Sequence, residues 1–252
     1  MYDPGEPPQD LTCDQLNRGM RIYQRAKGHR AAMDDTLLAW CAQKFAPSDT
    51  RRSLDLGTGK GTVALLLLHV CPRLSTVGIE AYTESVQLAR MNIELNALQG
   101  RFEVFHGDLR ERAKWSELGQ FDLITGAPPF MPLGTGIQPT DPQRTVGRFE
   151  IRGGVEDYYE TAQEKLTSRG RVVVLMNGHG KERNLEACRR AGLHPIQTVD
   201  VLPRPFEPAT YSLCIAQRHP APFRKREIAV RRHGSNDWSL DYLEIRRALD
   251  LP

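Results

Sequence analysis

The sequence predicts an α/β fold: a seven-stranded, mostly parallel sheet with helices on both faces and an antiparallel hairpin towards its C-terminal side. Three observations lead there. Strand-like and helix-like runs alternate regularly from residue 52 to residue 191, the rhythm of a parallel sheet whose crossovers are helical. After Gly192 the rhythm changes: segments 194–202 and 209–217 are both strand-like, and Pro203–Pro208 between them has no room for a helix, so these strands must run antiparallel. At 252 residues the chain suits one α/β domain with a short appendage.

In chain order, residues 1–9 are rich in proline, glycine and acid and are expected to be disordered or loosely attached. From Met33 the positions Leu37, Leu38, Trp40, Cys41 and Phe45 recur at helical spacing, with Asp34 and Asp35 near the start. Strands are then expected at 52–57, 75–80, 101–107, 121–126 and 171–176, alternating with helices at 60–71, 83–98, 110–117, 154–167 and 181–191. Beyond the hairpin, a short strand at 227–230 and a helix at 240–249 complete the chain. The expected division is an N-terminal extension and basic segment at 1–32, the α/β domain at 33–218 and a basic tail at 219–252.

The net charge of +3 is only mildly basic, but it is unevenly spread. Arg18, Arg21, Arg25, Lys27 and Arg30 have no acid among them, and Arg218, Arg224, Lys225, Arg226, Arg231 and Arg232 face only Glu227. Patches at 18–30 and 218–232 suit a polyanion such as RNA, with Tyr23 and Phe223 interleaved for stacking; charge runs are equally often plain solvated surface. The five cysteines are widely spaced with no Cys-x-x-Cys, and Cys41, Cys71, Cys188 and Cys214 lie in apolar periodic segments. They read as reduced core residues, so neither a disulfide framework nor a metal site is expected. No signal sequence is evident and the longest apolar stretch, Val63–Leu68, is too short to span a bilayer, so a soluble cytoplasmic protein is expected.

Three strand ends carry chemistry. Ser53-Leu-Asp-Leu-Gly-Thr-Gly-Lys-Gly61 is a strand running into a glycine turn and then a helix. Gly57, Gly59 and Gly61 let a ligand approach the backbone, and the free amides of the helix start favour negative charge. The dinucleotide fingerprint needs glycine at 62, where this chain has Thr62, and pyrophosphate gains nothing from Asp55 just before the turn. The second strand ends in Glu80, placed to grip two ribose hydroxyls, and the third ends His106-Gly-Asp108-Leu109. Each acid alone is also an ordinary helix N-cap; three in succession after a glycine turn favour a ligand site. The fourth strand runs through Phe121-Asp-Leu-Ile-Thr-Gly126 into Ala127-Pro128-Pro129-Phe130. Proline fixes φ and donates no N–H, so the carbonyls near 127 and 128 project into the space ahead, with the Phe130 ring beside them as a stacking platform.

Together these residues resemble the class I S-adenosylmethionine-dependent methyltransferases. The tetrapeptide resembles the (Asn/Asp)-Pro-Pro-(Tyr/Phe) signature of enzymes that methylate planar nitrogen. Ile22-Tyr-Gln-Arg-Ala-Lys-Gly-His-Arg30, followed by Asp34-Asp-Thr-Leu-Leu-Ala39, is similar to the methyltransferase small-domain type, and most of all to the bacterial enzymes that methylate an anticodon-loop adenine amine of a valine tRNA. The resemblance implies a Rossmann-like sheet and S-adenosylmethionine as cofactor. It implies that Asp55 meets the methionine moiety, Glu80 the ribose, and Asp108 with Leu109 the adenine. It assigns Gly57, Thr58, Gly59, Gly61, Ala81 and Gly126 to the same site, Gly28, His29 and Arg30 to its lid, and Ala127, Pro128, Pro129 and Phe130 to catalysis.

One position departs from the pattern. The signature's amide or carboxylate accepts an N–H of the reacting amine, and Ala127 has no acceptor to offer. Three readings follow: backbone carbonyls near Gly126 and Ala127 or another side chain take over; the acceptor is not an aromatic amine; or the domain binds cofactor or RNA without turnover. The segment Gln143–Arg152 contains possible replacements, with Glu150 or Asp141 as base and Arg144 or Arg148 as anion site, set against an ordinary solvated loop. The expected function is methyl transfer to adenine in RNA. The alternatives are a small-molecule or protein side-chain methyltransferase and a non-catalytic cofactor- or RNA-binding domain.

Overall fold

Continuous apolar strands covered by helices on both sides form the framework of the computed structural model, which describes residues 10–132, 134, 145 and 147–252. The stretch 1–9 and Asp141, Gln143 and Arg144 lie outside the described residues. The chain begins with a two-stranded antiparallel hairpin, β1 (Leu11–Gln15) and β2 (Arg21–Arg25), then α1 (Met33–Phe45). The alternating part follows as β3 (Arg52–Leu56), α2 (Thr62–Val70), β4 (Ser75–Glu80), α3 (Thr83–Leu95), β5 (Phe102–His106) and β6 (Phe121–Gly126). It continues as α4 (Val155–Lys165), β7 (Leu166–Asn177), α5 (Lys181–Arg190), β8 (His194–Leu202) and β9 (Tyr211–Gln217). The chain closes with β10 (Arg224–Ala229) and α6 (Leu240–Ala248).

The main sheet has the order β10-β8-β9-β7-β6-β3-β4-β5 and is parallel except for β9, which runs against both β7 and β8. The antiparallel hairpin is thus present, and the sheet has eight strands rather than seven. The extra strand is the one expected in the tail. It covers the edge of β8, buries Ile228 and leaves a short, charged strand as the sheet edge in its place. The segment expected as a helix at 110–117 is a 3-10 turn, Arg112–Leu118, anchored by buried Trp115.

Side chains alternate along each strand and fill a separate core on each face. Leu123, Val173, Leu175, Leu213 and Ile215 join the core under α1, α2 and α3; Ile124, Val172, Val174, Cys214 and Ala216 join the one under α4 and α5. α2 is buried from Thr62 to Leu68, as its unbroken apolar run requires. Cys41, Cys188 and Cys214 are buried, Cys13 and Cys71 half-buried, and all five thiols are free. Among the described residues, no helix is long and apolar enough to cross a membrane and no cluster of His, Cys, Asp or Glu is arranged to hold a metal ion.

The hairpin β1–β2 is an element that sequence periodicity misses. Its polar strands are held by α3: the Asn92 side chain accepts from Tyr23 N at 2.6 Å and donates to Tyr23 O at 3.1 Å. One turn later Asn96 does the same for Arg21, at 2.9 and 2.8 Å. Two amides four residues apart on a helix stand in for a neighbouring strand.

Candidate active site

From β3 the chain winds outward through β4 and β5, then returns to β6 on the other side of β3. The carboxyl ends of β3 and β6 therefore part around a crevice, the usual ligand site of an open α/β sheet. A cleft of about 770 Å³ occupies it, lined by the glycine turn, the ends of β4 and β5, the Pro-Pro-Phe turn and the segment Gly28–Arg30.

Asp55 lies beneath the turn and is not among the residues lining this cleft. Its carboxylate accepts Thr58 Oγ1 and Thr125 Oγ1, both at 2.7 Å, and so ties the turn to its register partner on β6. Burial drives its pKa up to about 6 against those two hydroxyl donors, and the charges of Asp35 and Glu80 push the same way. Gly57, at φ +64°, is needed twice over: a Cβ there would lie 2.3 Å from Tyr158 Oη. Gly59, at φ +58°, faces open space, since a Cβ would meet no atom within 4 Å. Its amide donates to Glu80 Oε2 at 2.8 Å while Tyr82 N donates to Oε1 at 2.7 Å, so Glu80 fixes both the turn and its own strand end. Burial raises the Glu80 pKa. Gly61 caps α2 and faces Phe102, away from the cleft. Thr58, Glu80 and Ala81 line the cleft.

Asp108 and Leu109 line the β5 end. Arg110 grips the Asp108 carboxylate through Nε at 2.9 Å and Nη2 at 2.7 Å and holds its pKa below the usual carboxylate range. Gly28, His29 and Arg30, the expected lid, all line the cleft. The Arg30 guanidinium is turned to the hairpin, donating to Asp14 Oδ2 at 2.8 Å and Thr12 Oγ1 at 3.0 Å. Buried Gln24 accepts from Ala31 N at 2.8 Å, so β1–β2 pins this cleft-lining segment in place.

Opposite the glycine turn, Ala127, Pro128, Pro129 and Phe130 form the wall. Gly126 sits just behind them, where a Cβ would lie 2.6 Å from the Tyr158 ring. The Phe130 ring meets Tyr211 at 6.3 Å between centroids, tilted by 56°. Arg148 and Arg152 line the mouth, and no ion pair or hydrogen bond engages either guanidinium among the described residues. Glu150 is drawn away: Arg183 of α5 binds both its oxygens, at 2.5 and 3.1 Å, and it does not line the cleft.

Among the lining residues that sequence reasoning overlooked are Tyr158, Lys60, Asp34 and Asp35. Tyr158 of α4 lies across Gly57 and Gly126, and nothing in its helix distinguishes it from a core tyrosine. Lys60 is buried beside Asp34 and Asp35; burial lowers its pKa and raises theirs, while the charges of Lys60 and Asp35 oppose those shifts on one another. Asp34 Oδ1 is buried with no hydrogen-bond partner among the described residues. The pair Asp34-Asp35 reads in sequence as the acidic first turn of a helix, and only the tertiary structure turns it into the cleft.

The two basic stretches do not gather on this cleft. β2 climbs α3 from base to cleft, so Arg21 lies beside Asn96 at the base whereas Arg25 pairs with Glu84 near the top at 3.6 Å. Arg218 donates to Leu166 O at 2.9 Å, and Arg224 opens β10, both at the base of the sheet. Arg231 and Arg232 follow β10 at the cleft end.

Comparison with known proteins adds to this geometry. A family described as "Methyltransferase small domain" matches residues 35–140. The chain is 32% identical over 157 residues to a tRNA1(Val) (adenine(37)-N6)-methyltransferase of Porphyromonas gingivalis, covering 61% of each protein. The chain thus spans about three fifths of that relative's length. It is 30% identical over 175 residues to a protein of the same description from Phocaeicola vulgatus, covering 69% of this chain and 70% of the relative. Over a shorter stretch of 99 residues it is 34% identical to a release factor glutamine methyltransferase of Agrobacterium fabrum, covering 38% of this chain and 32% of that one. In fold it is similar to a crystal structure from Agrobacterium tumefaciens described as a predicted O-methyltransferase, with a TM-score of 0.67 at 21% identity over 87% of this chain and 98% of that one.

Proposed function

We propose that this chain, which belongs to the methyltransferase small-domain family of class I S-adenosylmethionine-dependent methyltransferases, methylates an adenine amine in RNA, with tRNA as the substrate class. One observation carries the reading: a single cleft joins two strand-end carboxylates and an open glycine turn to a Pro-Pro-Phe wall facing them. The residues fit the cofactor. The space before Gly59 is free of protein atoms, and the cleft volume of about 770 Å³ is in the range that encloses a ligand of this size. When bound, S-adenosylmethionine supplies a methyl group activated by its sulfonium. Glu80 has lone pairs left for ribose hydroxyls after accepting two backbone amides. Asp108, kept ionised by Arg110, is an acceptor for an adenine amine. Asp55 places a carboxylate under the turn, where a cationic methionine moiety is favoured.

At the acceptor end, Phe130 beside Tyr211 offers a face to a flat base. Asp34 is the group we assign to the acceptor role missing at Ala127. Asp34 lines the same cleft within electrostatic reach of Tyr211, and its Oδ1, buried and unpartnered among the described residues, is free to turn into the cleft when a donor enters. Burial raises its pKa, which makes it a stronger base than a surface carboxylate. The wall holds the base, and Asp34 accepts the amine N–H as nitrogen pyramidalises.

Calorimetry with S-adenosylmethionine is expected to give one site, weakened strongly in Glu80→Ala. Radiolabelled methyl transfer should enter RNA rather than protein, with methylated adenosine found by nucleoside mass spectrometry. Asp34→Ala should cost on the order of 10²–10³ in rate with cofactor binding intact, and adding Ala127→Asn should restore part of it. Absence of cofactor binding would sink the enzyme reading. Label in protein alone would move the substrate to a side chain, the reading favoured by the glutamine methyltransferase relative.

A further inference from the structure

The loop joining β8 to β9 rises at the cleft end of the sheet and carries an aromatic ring that nothing in the fold requires. Phe206 is 93% exposed and holds φ at +71°, a left-handed conformation that a bulky side chain rarely adopts. Its ring meets His233 edge-on, at 5.9 Å and 80°. Pro203, Pro205 and Pro208 stiffen the loop, and Pro203 O accepts from Arg231 N at 2.9 Å. A ring held out rigidly at a conformational cost points to use rather than packing.

Its surroundings are cationic. Arg204 donates to Asn236 Oδ1 at 2.7 Å and to Ser235 O at 3.4 Å. Arg232 donates to Trp238 O at 3.2 Å. Arg231 donates to Asn236 O and lies 3.3 Å over the Trp238 ring. All three guanidiniums are positioned by neutral groups, so their charge stays uncompensated. The acids of the same loops, Glu207 and Asp237, pair with none of them among the described residues, and Asp237 is bonded to Ser235 Oγ at 2.8 Å. Tyr211, five residues after Phe206, lines the cleft, so the ring lies within about 18 Å of chain from the cleft wall.

We propose that Phe206 and His233, with Arg204, Arg231 and Arg232, form a platform for single-stranded RNA. An unpaired base beside the reacting one stacks on Phe206 while its phosphates meet the guanidiniums. This rests on the RNA reading of the cleft and adds a second contact that orients the substrate. A protein partner would seek apolar neighbours around the ring, where the structure has arginines, prolines and histidine.

The test is Phe206→Gly, which keeps the left-handed backbone and removes the ring. Melting temperature and S-adenosylmethionine binding are expected to hold or improve. Affinity for a fluorescein-labelled stem-loop RNA with an adenine in its single-stranded loop should fall roughly 10-fold. Arg232→Ala should lower the slope of log K against log salt by about 0.7. If wild type methylates RNA and Phe206→Gly binds the stem-loop within about two-fold of it, the platform is refuted while the cleft reading stands. Wild type that neither binds nor methylates RNA overturns both. Loss of methyl transfer to a protein pool, with RNA binding unchanged, would make this a protein-docking surface and overturn the proposal.

Discussion

Asp55 looks in the sequence like a residue that touches ligand, yet in the fold it acts from beneath, through Thr58 and Thr125. Its pKa of about 6 has a measurable consequence. A carboxyl whose folded value stands above its unfolded one favours the folded chain when protonated. That stabilisation is full below about pH 4 and is lost as pH rises through about 6. Two pKa units correspond to about 3 kcal/mol. The stability of wild type minus that of Asp55→Asn, from urea denaturation, should therefore fall by up to that amount between pH 4 and pH 7; a flat difference would refute the assignment. A cation bound over the turn lowers the same pKa, so cofactor affinity should rise with pH across this window. Identity and neighbourhood split here. That Asp55 matters is legible from the strand–glycine-turn context, but its two hydroxyl partners come from positions 3 and 70 residues away.

At the scale of elements, the glycine turn is shaped by α4, a helix about a hundred residues later in the chain. Tyr158 fills the space that a side chain at 57 would need. Gly57→Ala should cost about 2 kcal/mol or more, combining left-handed strain with the clash. Tyr158→Phe, which removes the atom 2.3 Å from the added Cβ, should recover only the clash part in a double-mutant cycle. Full additivity of the two changes in thermal melts would show that they do not meet. Helices and parallel strands were legible because periods of 3.6 and 2 are local properties of the chain. The hairpin β1–β2 was not, because its backbone partners are Asn92 and Asn96, about 70 residues on. Nor was the tail strand's place, since only the free edge of β8 makes an eighth strand favourable.

Across the whole molecule, the sheet separates charges that the sequence places together. Lys27 immediately precedes Gly28, which lines the cleft, whereas Arg224 and Lys225 open β10 at the opposite end of the sheet. RNA held at the cleft should therefore lose affinity and salt slope in Lys27→Ala but not in Arg224→Ala/Lys225→Ala, measured by fluorescence anisotropy; equal effects would place the RNA elsewhere. The sequence by itself determined the α/β class, the family and the acids at three strand ends, because each is written in short-range order: an apolar run, a turn, a carboxylate. Only the tertiary structure decided which of those acids face the cleft, that Asp34 and Lys60 join them, and that part of each basic run lies at the far end of the sheet from it. Those outcomes depend on contacts between segments far apart in the chain, and such contacts leave no periodic trace in the sequence. The Pro-Pro-Phe turn spans both kinds of information. Its residues announce a platform for a flat acceptor, and the fold brings Asp34, about ninety residues earlier in the chain, to the same cleft as Ala127.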